Sequence, residues 1–231
     1  MNPGKYPAEA LLRDLGVGQG KAIYETVLST CTIDGKPDAA PMGIQFVADE
    51  KKAGKRRVLI RPFRSTNTYK NLSSQGEAVV NVTSNPEVFY KTAFKRKLTG
   101  ESEFKLSFRA SRKVKPPRLK GCDAYLEIAV MEIVDDKEDE KNRSEVLCEL
   151  RLVEVKKASA KLYWRAPYVL MEAMIHATRV EEFFSLGLTD KANELVGLIA
   201  NYKELIRRIA PDSHYETLVN QLLTFVEGKR E

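Results

Sequence analysis

Apolar side chains recur at every second position through most of the first 160 residues and at every third or fourth position after them, so the chain reads as β first and α last. A short helix, AEALLRDL (8–15), closed by Gly16, precedes the β region. The run AIYETVLSTCTIDGKPDAAPMGIQFVAD then holds two extended stretches joined at Asp34-Gly35, a dipeptide suited to the positive backbone angles of a tight hairpin. Further strands are predicted at about 57–61, 77–83, 122–134 and 145–156, the last two long and alternating as half-buried neighbours do. About six antiparallel strands, with one short helix after the third, predict a small closed barrel, because closure removes exposed sheet edges.

After Trp164 the period is helical. Ala166-Pro167 places a proline in a first helical turn, and Leu170, Ala173, Met174, Ala177 and Val180 follow at helical spacing up to Gly187. A second helix opens at Thr189-Asp190, with Leu195, Ile199, Tyr202, Ile206 and Ile209 on one face. A third opens at Ser213 with Glu216 three residues on, a capping box, and closes at Gly228. The expected organisation is a barrel domain over residues 1–164 and a three-helix unit over 165–231. Two charged blocks, KLSFRASRKVKPPRLK (105–120) with seven basic residues and DDKEDEKNRSE (135–145) with six acids, read as solvated loops.

Composition adds little to that picture. At 231 residues, 43% hydrophobic and 30% charged, the chain is long enough to bury a real core. The 38 Lys and Arg against 32 Asp and Glu give +6, a weak pointer to an anionic partner. Cys31, Cys122 and Cys148 lie far apart with no C-x-x-C, which argues against a disulfide framework or a zinc site and fits a reducing cytoplasm. His176 and His214 are too few to build a metal cluster with those cysteines, and His176 falls inside a predicted helix. MNPGKYPAEALLRDLG has no basic region followed by an apolar run, and no stretch reaches ~18 consecutive apolar residues, so neither export nor a membrane span is expected. The glycines of GVGQGK (16–21) follow a helix and precede a strand, the reverse of a dinucleotide loop, and Leu15 and Ala22 break the Walker spacing. Neither G-x-S-x-G nor H-E-x-x-H is present.

Two stretches carry candidate chemistry. In LIRPFRSTNTYKNL (59–72) a strand stops at Arg61-Pro62 and a helix starts at Ser65-Thr66. A helix N-terminus offers unpaired N–H groups and partial positive charge to a phosphate; Ser65, Thr66 and Thr68 can add neutral hydrogen bonds, and Arg61 and Arg64 charge-assisted ones. The alternative is a plain helix cap flanked by solvated arginines. In DAAPMGIQF (38–46), Ala39, Ala40 and Gly43 are poor strand formers and Pro41 has no N–H. A flat heteroaromatic ring against the backbone of Met42, Gly43 and Ile44 would account for them, and so would a bulge at a barrel corner.

The motifs APMG and RSTNTYKNLSSQGEAVVNVT, in that order, resemble the flavin reductase-like proteins with the FMN-binding split-barrel fold. Together with RAPYVLMEAMIHATR they are similar to a mainly archaeal branch that adds a C-terminal helical unit, over about residues 20–185. The resemblance implies FMN as cofactor. It places Arg61, Ser65, Thr66, Thr68 and Tyr69 at the phosphate and ribityl chain, and Met42, Gly43 and Ile44 at the isoalloxazine edge. It further implies a homodimer with flavin near the interface, where Asn81, Trp164 and Arg165 reach the other subunit's flavin. The expected function is oxidoreductase chemistry, hydride or electrons passing through FMN to or from a small-molecule donor or acceptor. No nicotinamide motif is visible, so the donor stays open among NADH, NADPH, deazaflavin and others. A non-catalytic FMN carrier is the first alternative. A nucleic-acid-binding barrel using residues 105–120 ranks third, because Phe108 is that loop's one aromatic residue.

Overall fold

Asp34-Gly35 closes the first hairpin as its sequence requires: Gly35 has φ +77°, and Thr32 and Lys36 are joined by a backbone hydrogen bond of 3.0 Å. The computed structural model of the chain describes residues 7–18, 20–49, 53–94, 106–135 and 142–229. Helix α1 (Ala8–Asp14) is followed by strands β1 (Tyr24–Cys31), β2 (Pro37–Ala48) and β3 (Arg56–Ile60), helix α2 (Asn67–Gln75), strand β4 (Glu77–Val82) and helix α3 (Pro86–Ala93). Then come two short strands, β5 (Phe108–Arg109) and β6 (Arg118–Leu119), and two long ones, β7 (Ala124–Asp135) and β8 (Ser144–Val155). Helices α4 (Ala166–Ser185), α5 (Thr189–Ile209) and α6 (His214–Glu227) complete the described order.

Six strands close an antiparallel barrel in the order β1-β2-β3-β8-β7-β4, so each has a neighbour on both sides over part of its length. Alternation fills the interior with Ile44, Ile60, Val80, Leu126, Ile128 and Val146, all fully buried. Along the first half of β7 the opposite face is buried as well. There Val27, Val79 and Tyr125 lie under a second cluster completed by Leu119, Cys122 and half-buried Val88, Phe89, Phe108 and Val114. The β5–β6 ribbon and α3 form this cover, and neither was expected from the sequence. Asn85-Pro86 is nonetheless a good helix start: the Asn85 side chain accepts from Glu87 N at 2.9 Å and Pro86 sits in the first turn.

The block 105–120 is therefore not a solvated loop over its described part, residues 106–120. Arg118 is 2% exposed, and its Nε donates to Glu127 and its Nη1 to Glu154, both at 2.7 Å, while Glu127 also accepts from the backbone N–H of Arg112 and Lys113. The buried carboxylates of β7 and β8 thus hold the loop down. Of the acidic block, residues 136–141 lie outside the described residues, but its two ends, Asp135 and Glu145, are structured parts of β7 and β8.

The chain divides into two compact units, one holding Met1–Gly18 and Tyr24–Tyr163, the other Gln19–Ile23 and Trp164–Glu231. In the second, α4, α5 and α6 bury Val180, Val196, Ile199 and Val226 in one cluster and Leu170, Ala173, Ile206 and Val219 in another. Ser213 caps α6 by accepting from Glu216 N at 3.3 Å, and the Glu216 carboxylate accepts from Asp212 N, one residue before the cap. Gly187, with φ +73°, ends α4. Among the described residues no helix is long and apolar enough to cross a membrane.

Candidate functional site

Pro62 ends the regular pairing of β3, and the next four residues turn the chain into α2. Thr66 is extended (φ −82°, ψ 154°) and caps the helix: its Oγ1 accepts from Tyr69 N at 3.3 Å and donates to Phe63 O at 2.7 Å. Lys70 N takes the Thr66 carbonyl at 3.2 Å. That leaves the N–H groups of Asn67 and Thr68 with no partner among the described residues. The first turn holds no acidic residue to neutralise its positive end. Ser65 is exposed and Thr68 only 3% exposed, and the hydroxyl of neither finds a partner among the described residues. A row of donors at one helix end is unclaimed by protein.

Both arginines of the stretch have protein partners. Arg61 donates from Nε to Glu145 at 2.7 Å and from Nη1 to the Gln45 side chain, and its side chain stays 40% exposed. Arg64 turns inward, donating to Ser144 Oγ at 3.3 Å and to the Arg143 carbonyl at 3.1 Å, with Asp135 3.9 Å away. Tyr69 donates its hydroxyl to Asp135 at 2.8 Å. Asp135 also accepts from Ser144, and that bond and then the Tyr69 hydroxyl hold its carboxyl below the usual carboxylate range against the opposing effect of burial, with a lesser contribution from the Arg64 charge. Arg64 and Tyr69 are thus fixed by the ends of the β7–β8 hairpin, whereas Arg61 sits in an exposed pair that contributes little and is readily exchanged. Asp135, Ser144, Glu145 and Gln45 were not singled out from the sequence; they stand 16 to 84 residues from the arginines and tyrosine they meet.

β2 brings the second stretch alongside. Ile44 pairs with Tyr24 on one side and Ile60 on the other, so Met42–Ile44 lie beside the point where β3 gives way to Arg61. Gly43 pairs with Glu25 in an unbroken β1–β2 register and is not among the positive-φ residues, so it occupies an ordinary strand position rather than a bulge. β3 ends opposite Ile44, and residues 37–43 of β2 pair with β1 alone. Ile44 itself is fully buried, while Met42 and Gly43 are half-buried. Asn71, on the inner face of α2, donates to Thr30 of β1 at 2.9 Å and pins the helix to the same pair of strands. The structure therefore gathers Met42, Gly43, Ile44, Arg61, Ser65, Thr66, Thr68 and Tyr69 in one region of the barrel unit.

The resemblance gives the other three expected residues to the other subunit's flavin; one of them belongs to the barrel unit and two to the helical unit. Asn81 is 0% exposed, and its amide is spent inside the barrel unit: Nδ2 donates to Val27 O, Ser29 Oγ and Val79 O at 3.0–3.2 Å, and Oδ1 accepts from Leu119 N at 2.8 Å. It ties the β5–β6 ribbon to the barrel. Trp164 and Arg165 belong to the helical unit, where Trp164 packs edge-on against Tyr215 at 4.9 Å and Arg165 precedes α4.

Among the described residues no group of His, Cys, Asp or Glu is arranged to hold a metal ion. The three cysteines are free and buried, and burial pushes Cys122 and Cys148 up to about 12, so neither is a thiolate nucleophile at neutral pH. What the gathered region offers is unpaired donors for an anion next to a strand edge with little side-chain bulk.

Several known proteins share features with this chain. A structure of an FMN-bound DUF447-family protein from Methanosarcina mazei is 21% identical, covers 93% of this chain and 99% of its own, and gives a TM-score of 0.47. Nitrilotriacetate monooxygenase component B from Bacillus cereus is 19% identical over 73% of this chain and 87% of its own, with a TM-score of 0.49. The styrene monooxygenase flavin reductase from Pseudomonas putida is 16% identical over 58% and 82%, with a TM-score of 0.46. No curated protein matches. The family model described as "Protein of unknown function (DUF447) N-terminal domain" matches residues 24–159, more than half of the chain, and the protein therefore belongs to the DUF447 family.

Proposed function

We propose that the barrel unit binds FMN and serves as an FMN-dependent oxidoreductase. The observation that carries this reading is the open end of α2: two N–H groups and the hydroxyls of Ser65 and Thr68, unclaimed by protein, beside the exposed Arg61. A phosphate there completes every one of those donors. Arg61 releases Glu145 and turns to the phosphate, exchanging one exposed ion pair for a charge-assisted hydrogen bond to a dianion. Arg64 and Tyr69, held by Asp135, shape the turn. The backbone of Met42–Ile44, short of side-chain bulk at Gly43, receives the isoalloxazine edge. When bound, FMN supplies the hydride and electron transfer, and the protein positions it and excludes water. The FMN in the Methanosarcina mazei structure belongs to that protein; its family is the one this chain matches by sequence.

The protein is further read as a cytoplasmic homodimer that passes electrons to or from a small molecule. The three free thiols suit a reducing compartment. A non-catalytic FMN carrier is the second reading, because the fold does not by itself fix the chemistry. The visible spectrum of the purified protein tests the cofactor, and flavin bands are expected. Steady-state turnover with NADH, NADPH or reduced deazaflavin separates enzyme from carrier: a yellow protein that turns over none of them is the carrier.

A further inference from the structure

At the far end of the β7–β8 hairpin lies a cleft of about 390 Å³ lined by Arg109, Lys120, Gly121, Cys122, Tyr125 and Lys156. It is separate from the open end of α2. Tyr125 and Asp135 stand near opposite ends of β7, roughly 30 Å apart at ~3.3 Å per residue. Its volume falls within the range of small-molecule sites, about 300–1,000 Å³.

Three cations face this cleft and one of them is short of partners. The Arg109 guanidinium lies 4.6 Å above the Tyr125 ring, and its Nε and Nη2 are buried with no hydrogen-bond acceptor among the described residues. Stacking on a ring does not satisfy N–H donors that point outward in the guanidinium plane, and buried donors of a cation are rarely left without an acceptor. Lys120 has no carboxylate partner among the described residues, and Lys156 pairs with Glu154, itself shared with Arg118 and Arg112. The Tyr125 hydroxyl donates to the carbonyls of Leu119 and Cys122 and lies within reach of Arg109, but as a neutral group it does not balance the guanidinium charge. Burial keeps the Cys122 thiol protonated, and no thiolate offsets them either. Gly121, at φ +85°, has nothing within 4 Å of where a Cβ would sit, which keeps the mouth open.

We infer that this cleft is a second ligand site, specific for a small molecule bearing a phosphate group, which the Arg109 guanidinium and the Lys120 and Lys156 ammonium groups clamp beside Tyr125. The site is a cleft open to solvent on one side. Phe108, the aromatic residue of the loop, packs into the cluster beneath it and is not free to stack on a nucleic-acid base.

The test is calorimetric titration of the full-length, FMN-loaded protein freed of unbound FMN, using inorganic phosphate as probe. The parent is expected to bind phosphate, Arg109→Met and Lys120→Met each to weaken it by about ten- to a hundred-fold, and Arg61→Ala to leave it unchanged. Lys120 is exposed, so Lys120→Met keeps the parental melting temperature and gives an answer even if Arg109→Met folds poorly. Absence of binding up to about 10 mM phosphate overturns the proposal. So does undiminished binding by Lys120→Met, or a loss that follows Arg61→Ala instead. A single-stranded oligonucleotide that binds more tightly than phosphate and is lost in the same variants would make the cleft part of a nucleic-acid surface and also overturn it.

Discussion

Arg118→Met removes the guanidinium shared by Glu127 and Glu154 and leaves two carboxylates, 0% and 1% exposed, inside the barrel unit. Glu127 keeps the N–H groups of Arg112 and Lys113, and Glu154 keeps Lys156 and Arg112, so neither is stripped bare. Removing one partner of a buried ion pair costs about 3–5 kcal/mol, a large part of an ordinary domain stability of roughly 5–15 kcal/mol. Urea denaturation followed by circular dichroism at pH 7 should show that loss. The pH dependence adds an independent check. Burial pushes the Glu154 carboxyl up, but hydrogen bonds from Lys156 and then Arg118 outweigh it and hold the group at about 2, below its ordinary 4.5. A carboxyl lowered on folding stabilises fully above its unfolded value, so the parent loses up to about 3 kcal/mol from this group as pH falls from 4.5 through 2. In the variant the under-compensated Glu154 carboxylate gains from protonation, and the gap between variant and parent should narrow from pH 7 to pH 4. A variant within about 1 kcal/mol of the parent at pH 7, or a gap that widens toward pH 4, refutes the reasoning.

Gly43→Val should leave the apoprotein melting no lower than the parent, because Gly43 sits in regular β2 pairing without positive φ, yet abolish flavin binding; a variant that stays yellow removes the ring from this strand. Asn81→Ala should cost about 2–4 kcal/mol in the same urea assay, since it orphans the buried Leu119 N–H, while FMN affinity stays parental; a selective loss of FMN affinity would return Asn81 to the ligand. Light scattering should give twice the 26.1 kDa chain mass, and a value equal to one chain contradicts the proposed dimer.

What the sequence made legible was local. The Asp34-Gly35 hairpin, the Thr66 cap of α2 and the Ser213 cap of α6 depend on residues within four positions of one another, and all three are formed. The burial of Arg118 was not legible, because Glu127 and Glu154, 9 and 36 residues away, decide it; a basic residue in a basic block carries no mark of its distant partners. Asn81 in VVNV was hidden similarly: alternation shows that it faces opposite to Val80 and Val82, but not that the β5–β6 ribbon covers that face. At the candidate site the hydroxyls, the helix start and Arg61 could be read directly, whereas the hold of Asp135 on Arg64 and Tyr69 depends on a hairpin about 70 residues downstream.

The most direct test of the central claim compares FMN with riboflavin, two ligands that differ by the phosphate alone, by calorimetry on the apoprotein and its Arg61→Ala variant. Charge-assisted bonds of about 1.5–3 kcal/mol predict that FMN binds the parent at least roughly ten- to a hundred-fold more tightly than riboflavin. In Arg61→Ala that preference should shrink by about the same factor, with riboflavin affinity unchanged. Equal affinities for the two ligands in the parent, or a preference for FMN that survives Arg61→Ala intact, would contradict the assignment of the phosphate to Arg61 and the end of α2.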